Sequence, residues 1–177
     1  MVGIRIGCGY DIHRFAGHRN DGREVGSLEG LYLGGILIKD HKGVVAHSDG
    51  DVVLHSLIDA ILGGSGLLDI GELFPDNNLE ETKGISSLKM LMEAYNAVKK
   101  KGYVLVNADV IIVTQSPKII NYKQEMITVI AKTLGVETSA INIKGKTKEG
   151  VDAVGSGQAI ECFSVCLLME CVECDQK

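Results

Sequence analysis

No stretch of this sequence approaches the ~20 uninterrupted apolar residues that a bilayer-spanning helix needs, so no membrane partner is expected. Positive charge is not in excess either. The formal net charge is -5, which argues against a ligand recognised mainly through a phosphate backbone, and nucleic acid drops out as a partner. The first residues, Met1 to Ile6, run directly into strand-like sequence and resemble neither a signal peptide nor a transit peptide. The cysteines do not make a metal set. There are five, an odd number without a secretory leader, and the one C-x-x-C, Cys171 and Cys174, has no second pair to complete a tetrahedral site. A reduced compartment fits. Internal repeats and low-complexity segments are also missing.

What is present suits one folded unit. The 177 residues, 45% of them apolar, can bury one core, and residues 1–177 are read as a single domain. Arg5 to His13 reads as a glycine-punctuated strand and Leu31 to Ile38 as a second apolar run, together suggesting a ribbon. From Asp51 to Gly64, apolar Leu54, Leu57, Ile58, Ile61 and Leu62 recur at helical spacing behind an acidic start. A loop covers 65–84, and Leu88 to Val98 repeats the helical stripe before Lys99-Lys100-Lys101-Gly102 ends it. Val104 to Ile112 alternates with period two, as a strand does. Ser116-Pro117 offers an N-cap and first-turn proline for a third helix running to Gly135. Ile141 to Lys144 and Ala159 to Met169 complete an α+β reading: a mixed sheet covered by helices.

Several polar groups carry chemistry. Asp11 and His13 stand two apart, so on a strand they face the same side and can meet one ion, although such an isolated pair is more often a surface pair or a satisfied polar cluster. His55, one helical turn after Asp51, is the candidate third ligand. Two imidazoles and a carboxylate suit zinc and leave a fourth position open. The plainer alternative is a helix-face histidine, with Asp49 or Asp51 as a cap. His47 and Ser48 precede that helix, where free N–H groups attract anionic oxygens, or where they simply form a capping turn. Asp69-Ile70-Gly71 and Phe74-Pro75-Asp76 occupy a loop too long for a plain connector, and their carboxylates suit polyol hydroxyls or serve as turn acids. Lys144, Lys146 and Lys148 surround Thr147 and lead to Glu149. That stretch is a solvated face or a phosphate and magnesium site.

In combination, Gly9-Tyr10-Asp11-Ile12-His13, Ala46 to Asp51 with Leu54-His55, Asp69-Ile70-Gly71, Phe74-Pro75-Asp76, Gln115-Ser116-Pro117-Lys118 and Lys146-Thr147-Lys148-Glu149 closely resemble the 2-C-methyl-D-erythritol 2,4-cyclodiphosphate synthase family, in order and over nearly the whole chain. The resemblance implies a homotrimer with active sites between subunits. It implies conversion of 4-diphosphocytidyl-2-C-methyl-D-erythritol 2-phosphate to the cyclic diphosphate and CMP, a step of non-mevalonate isoprenoid biosynthesis. By the same analogy Asp11, His13 and His55 bind one Zn2+ per site, and Glu149 takes Mg2+ or Mn2+ on the diphosphate. His47 and Thr147 steady the transition state. Ser48, Asp69, Ile70, Gly71, Phe74, Asp76 and Asn78 contact phosphate or methylerythritol, while Ser116, Lys118, Ile119, Ile120, Lys146 and Lys148 frame the cytidine. Bacterial cytoplasm and plastid stroma both fit. The segment Gly150 to Ser156 departs from the bacterial pattern and resembles plastid-type members. Lys148 stands where a threonine is common, and Asn78 where a second acid is common.

Overall fold

The computed structural model describes residues 3–18, 24–25, 30–75 and 86–171. Its main sheet has four strands in the spatial order β1 (Ile4–Arg14), β8 (Ala159–Glu170), β6 (Tyr103–Val113), β7 (Ile141–Lys146). β8 pairs antiparallel with both β1 and β6, and β7 runs parallel to β6, so the sheet is mixed. Two short hairpins lie outside it, β2 (Gly17–His18) with β3 (Glu24–Val25) and β4 (Leu31–Leu33) with β5 (Ile36–Ile38). Three long helices, α1 (Val52–Ser65), α3 (Ser87–Lys100) and α4 (Lys123–Leu134), cover one face of the sheet. The short helices α2 (Ile70–Leu73) and α5 (Asp152–Gly155) flank them.

The core lies between these layers. Leu54, Leu57, Ile58 and Ile61 of α1 are fully buried against Ile112, Ile143, Ile160 and Leu168 of the strands. On the opposite sheet face, only the short α5 packs among the described residues, its Val154 buried with Val113 and Ala159 at one end, and no long helix covers the rest. That face presents Ile4, Ile6, Tyr10 and Ile12 of β1 with Phe163, Val165 and Met169 of β8, all exposed. Strand alternation alone dictates this: the odd-numbered β1 residues from Gly7 to His13 turn toward α1, and the even-numbered ones turn away.

Three expectations are corrected. The 31–38 run does not pair with β1; Gly34 and Gly35, at φ 60° and 82°, fold it into its own tight hairpin, and β1 takes β8 as its partner. The period-two reading of β6 holds from Ala108 onward, but a bulge between Leu105 and Asn107 puts Leu105 inside and Val106 outside. The third helix starts at Lys123 and not at Ser116-Pro117. Thr114 Oγ1 donates to the Ser116 carbonyl at 2.5 Å and Lys118 is extended, so residues 114–118 form a turn followed by a single 3-10 turn over Ile119–Asn121. The third helix nonetheless ends as expected, on left-handed Gly135.

Candidate active site

Two glycines bring the site together. A Cβ on Gly7 would stand 1.9 Å from the Ala60 carbonyl oxygen, and one on Gly9 would stand 2.0 Å from that of Ser56, so α1 rests directly on the backbone of β1. That close approach carries His55, on the first turn of α1, over Asp11 and His13. The start of α1 is fixed by Asp51. Its fully buried carboxylate accepts N–H bonds from Val53 and Leu54 at 3.1 Å and from Gly34 and Gly35 at 2.8 and 2.7 Å, pinning the β4–β5 turn to the helix start. Burial pushes the Asp51 carboxyl above its ordinary value, a push that the N–H groups of Gly35, Gly34 and Leu54 oppose.

Asp11, His13 and His55 converge. Asp11 Oδ2 lies 3.0 Å from His13 Nε2 and 3.0 Å from His55 Nδ1, and the two ring nitrogens are 3.2 Å apart. Tetrahedral zinc with bonds of about 2.0 Å separates its ligands by about 3.3 Å, so the three atoms already stand at nearly the spacing one such ion needs. The group can hold a metal ion, and all three side chains are part-buried. Burial disfavours the Asp11 carboxylate, but hydrogen bonds from His13 and His55 outweigh it and hold the carboxyl well below the usual range. Burial likewise disfavours a charged His55, and the hydrogen bond to Asp11, together with the negative charges of Asp11, Asp51 and Asp49, more than offsets this and raises its pKa.

The chain passing this cluster forms a cleft of about 380 Å³, lined by His13, His47, Ser48, His55, Ile70, Gly71 and Phe74, with Val45, Ala46 and Met90 completing the wall. Residues 43–45 reach it because Val45 N–H donates to the Arg14 carbonyl and Ala16 N–H to the Gly43 carbonyl, laying that loop along the end of β1. Asp59 of α1 accepts the Ile70 N–H at 2.9 Å and anchors α2 beside the cleft. Asp69 sits at the N-cap of α2, accepting the Glu72 N–H at 2.8 Å, and faces a neighbouring groove along Cys8 and Tyr10. Asp76 and Asn78 lie outside the described residues, as does Cys174.

A second cleft, of about 580 Å³, opens at the far edge of the sheet and is lined by Lys118, Ile119, Ile120, Lys146 and Thr147 together with Thr114, Gln115, Lys123 and Lys144. Gly145 permits it, since a Cβ there would meet Ile119 Cβ at 2.7 Å. Ser116 contributes its carbonyl to the turn beneath. The Thr147 hydroxyl donates to the Glu149 carboxylate, and Glu149 is held at φ 51°. Lys148 reaches Glu161 Oε1 at 2.6 Å and Asp152 at 3.0 Å. Glu161 is 3% exposed and also accepts from the Tyr10 hydroxyl. Lys123 was not legible as a cleft residue, because a lysine within a helical stretch reads as solvated. Ser87, which touches His55 Nε2, gave no signal in the sequence either.

The two clefts share no lining residue. β1 and β7 are opposite edges of the sheet, three strand spacings or about 14 Å apart.

Known proteins share this fold and much of this sequence. The model of the YgbB family matches residues 4–169. A Clostridium acetobutylicum protein named 2-C-methyl-D-erythritol 2,4-cyclodiphosphate synthase is 42% identical over 166 residues, 94% of this chain and 100% of its own. A Haemophilus ducreyi protein of the same name is 44% identical over 165 residues, covering 93% and 96%. Among solved structures, the bifunctional IspDF of Campylobacter jejuni superposes with a TM-score of 0.86 at 38% identity, over 96% of this chain and 43% of that one. A Plasmodium falciparum relative solved as a CDP complex superposes at 0.79 and 40% identity, over 96% and 97%. Coverage of this extent at such identity, on a fold that gathers Asp11, His13 and His55, means that the chain belongs to the YgbB family, alongside the 2-C-methyl-D-erythritol 2,4-cyclodiphosphate synthases.

Proposed function

We propose that this chain, as one cyclodiphosphate synthase domain over 1–177, converts 4-diphosphocytidyl-2-C-methyl-D-erythritol 2-phosphate to 2-C-methyl-D-erythritol 2,4-cyclodiphosphate and CMP. The observation that carries the reading is the part-buried Asp11–His13–His55 cluster in a chain 42–44% identical to synthases of that name. In this reading the three side chains hold zinc, and Glu149 takes one oxygen site on magnesium or manganese bound to the diphosphate. The zinc ion, when bound, acts as a Lewis acid that neutralises charge on the β-phosphate.

The chain's own residues do the rest by positioning, because phosphoryl transfer asks little covalent help of the protein. His47 and Ser48 steady phosphate oxygens beside the cluster, and Thr147 does so from the second cleft. Asp69, Ile70, Gly71, Phe74, Asp76 and Asn78 hold the methylerythritol unit, folding the 2-phosphate back onto the β-phosphorus. Ser116, Lys118, Ile119, Ile120 and Lys146 frame the cytidine, with Lys148 fixing the loop between them. Held in line, the intramolecular nucleophile has a high effective molarity and outruns water.

This reading requires more than one copy. The two clefts sit at opposite sheet edges, and one substrate cannot lie in both within a chain unless its parts span the sheet. The uncovered face bearing Ile4, Ile6, Tyr10, Ile12, Phe163, Val165 and Met169 is an apolar patch of the kind that packs against other copies. A homotrimer that joins the second cleft of one subunit to the metal cluster of the next satisfies both observations. A bacterial cytoplasmic or plastid-stromal setting accompanies the assignment, the plastid option resting on the Gly150 to Ser156 segment.

The test is a product assay by phosphorus NMR with zinc-loaded protein, magnesium and the cytidine diphosphate substrate, beside a His55→Ala variant. CMP and cyclic diphosphate formed only by the parent support the proposal. A linear phosphate product, or no CMP from a folded, zinc-loaded oligomer, would overturn it.

A further inference from the structure

We infer that Asp49 and Ser87 form a positioning relay that fixes the tautomer of His55 for metal binding. The inference rests on the metal reading of Asp11, His13 and His55, and it assigns roles to two residues outside that set.

The geometry is specific. His55 turns Nδ1 toward Asp11 and His13, and its other nitrogen, Nε2, lies 3.0 Å from Ser87 Oγ. Ser87 is fully buried on the first turn of α3, and its hydroxyl makes a short hydrogen bond to Asp49 Oδ1. Asp49 Oδ2 accepts the Ser87 N–H at 2.9 Å, and Oδ1 also faces the Asp51 N–H at 3.4 Å. Ser48 Oγ, at 3.3 Å, is the longer of the two contacts to Nε2, and it accepts the Gly50 N–H.

The hydrogen-bond logic runs in one direction. An ionised carboxylate only accepts, so the Ser87 proton goes to Asp49. The Ser87 oxygen then has only lone pairs to offer Nε2, and that nitrogen must carry the hydrogen. A neutral imidazole protonated at Nε2 presents a bare lone pair at Nδ1, the atom aimed at Asp11 and His13. Histidines that bind metals are usually oriented by such an outer partner; here a hydroxyl stands between the ring and the carboxylate. Asp49 has a second task. Ser86, at the N-cap of α3, makes no side-chain cap bond, and Asp49 satisfies the following N–H from a different loop, so α3 is docked by the same carboxylate that polarises Ser87.

Two variants separate these tasks. Ser87→Ala keeps the N–H bond to Asp49 and removes only the hydroxyl. Asp49→Asn keeps an acceptor for the cap but supplies N–H donors that let Ser87 reverse and donate to Nε2. Zinc affinity is measured by competition with a chromophoric chelator, and metal-free melting is recorded in parallel. The expected result is zinc binding weaker by about 10–100-fold in both variants, with the metal-free Ser87→Ala protein melting like the parent and Ser87→Thr recovering most of the affinity. In nitrogen-15 spectra of zinc-loaded parent protein, the His55 Nε2–H appears as a hydrogen-bonded signal that Ser87→Ala weakens. Parent-like zinc affinity in both folded variants would overturn the relay. So would a loss of affinity that only follows a loss of metal-free stability with the His55 signal unchanged. A folded parent that takes up no zinc would instead overturn the metal centre itself.

Discussion

The two clefts are built differently. The metal end is assembled from a strand and a helix in direct backbone contact, with a buried carboxylate satisfying two N–H groups at the helix start and two in the β4–β5 turn. The lysine-rich end, from Lys144 to Asp152, is assembled from a strand end and a turn. Glu149 and Asp152 have left-handed backbones, and mostly exposed side chains are tied by ion pairs. Groups that must stand within a few tenths of an ångström come from regular elements, whereas groups that follow a substrate sit on a loop. Damage at the metal end should therefore be nearly all-or-none, and damage at the loop should be graded.

The largest expected effect is at Asp11. Asp11→Ala removes the carboxylate shared by both histidines and should abolish stoichiometric zinc, lowering kcat/KM by about 10³-fold or more; metal analysis with steady-state kinetics checks it. Next comes Glu149→Gln, expected to lower kcat by about 10²–10³-fold with zinc content unchanged. Equal losses of zinc in the two variants would break the distinction between the ends. Third is Asp51→Ala, which strands three buried N–H donors and one part-buried one and should cost about 3 kcal/mol or more in urea denaturation of the metal-free protein, with m unchanged.

The fourth effect is pH dependence. Zinc requires a neutral His55 whose pKa is raised, so affinity should begin to fall, as pH is lowered, above the pH at which an ordinary histidine would compete. Without metal the signs differ. The raised His55 contributes stability that is complete below about pH 6.5 and lost as pH rises through its folded value, and the depressed Asp11 contributes stability present above about pH 3.9 and lost on acidification. Their pair should help the metal-free fold most between those limits, as melting against pH would reveal. The smallest effect is expected for Glu161→Gln, which weakens the hold on Lys148 and should raise KM for the cytidine substrate several-fold while leaving zinc affinity untouched.

Much of this was legible in the residues. The i, i+2 pairing of Asp11 and His13 follows from strand alternation, and the stripe from Leu54 to Leu62 predicts α1 with Asp51 at its head. The glycine signal in Gly7 and Gly9 was visible as punctuation, but its consequence, α1 seated on the strand, depends on what the strand meets. The Ser116-Pro117 helix start failed because a cap-and-proline pattern also describes a turn, and the turn won through the Thr114 bond to Ser116. The ribbon failed because pairing was inferred from proximity along the chain, while the partner of β1 lies some 150 residues away in β8.

The sequence by itself determined the long helical stripes and the main strands, the side of β1 on which Asp11 and His13 stand, and the residue types suited to a metal and phosphates, because these depend on local period and chemistry. Only the tertiary structure decided that His55 closes on that pair, that Ser87 and Asp49 stand behind it, and that the lysine-rich cleft opens at the opposite sheet edge. Those relations join residues 32 to 44 positions apart across separate elements, and no local pattern encodes the packing of α1 on β1 and α3 that brings them together.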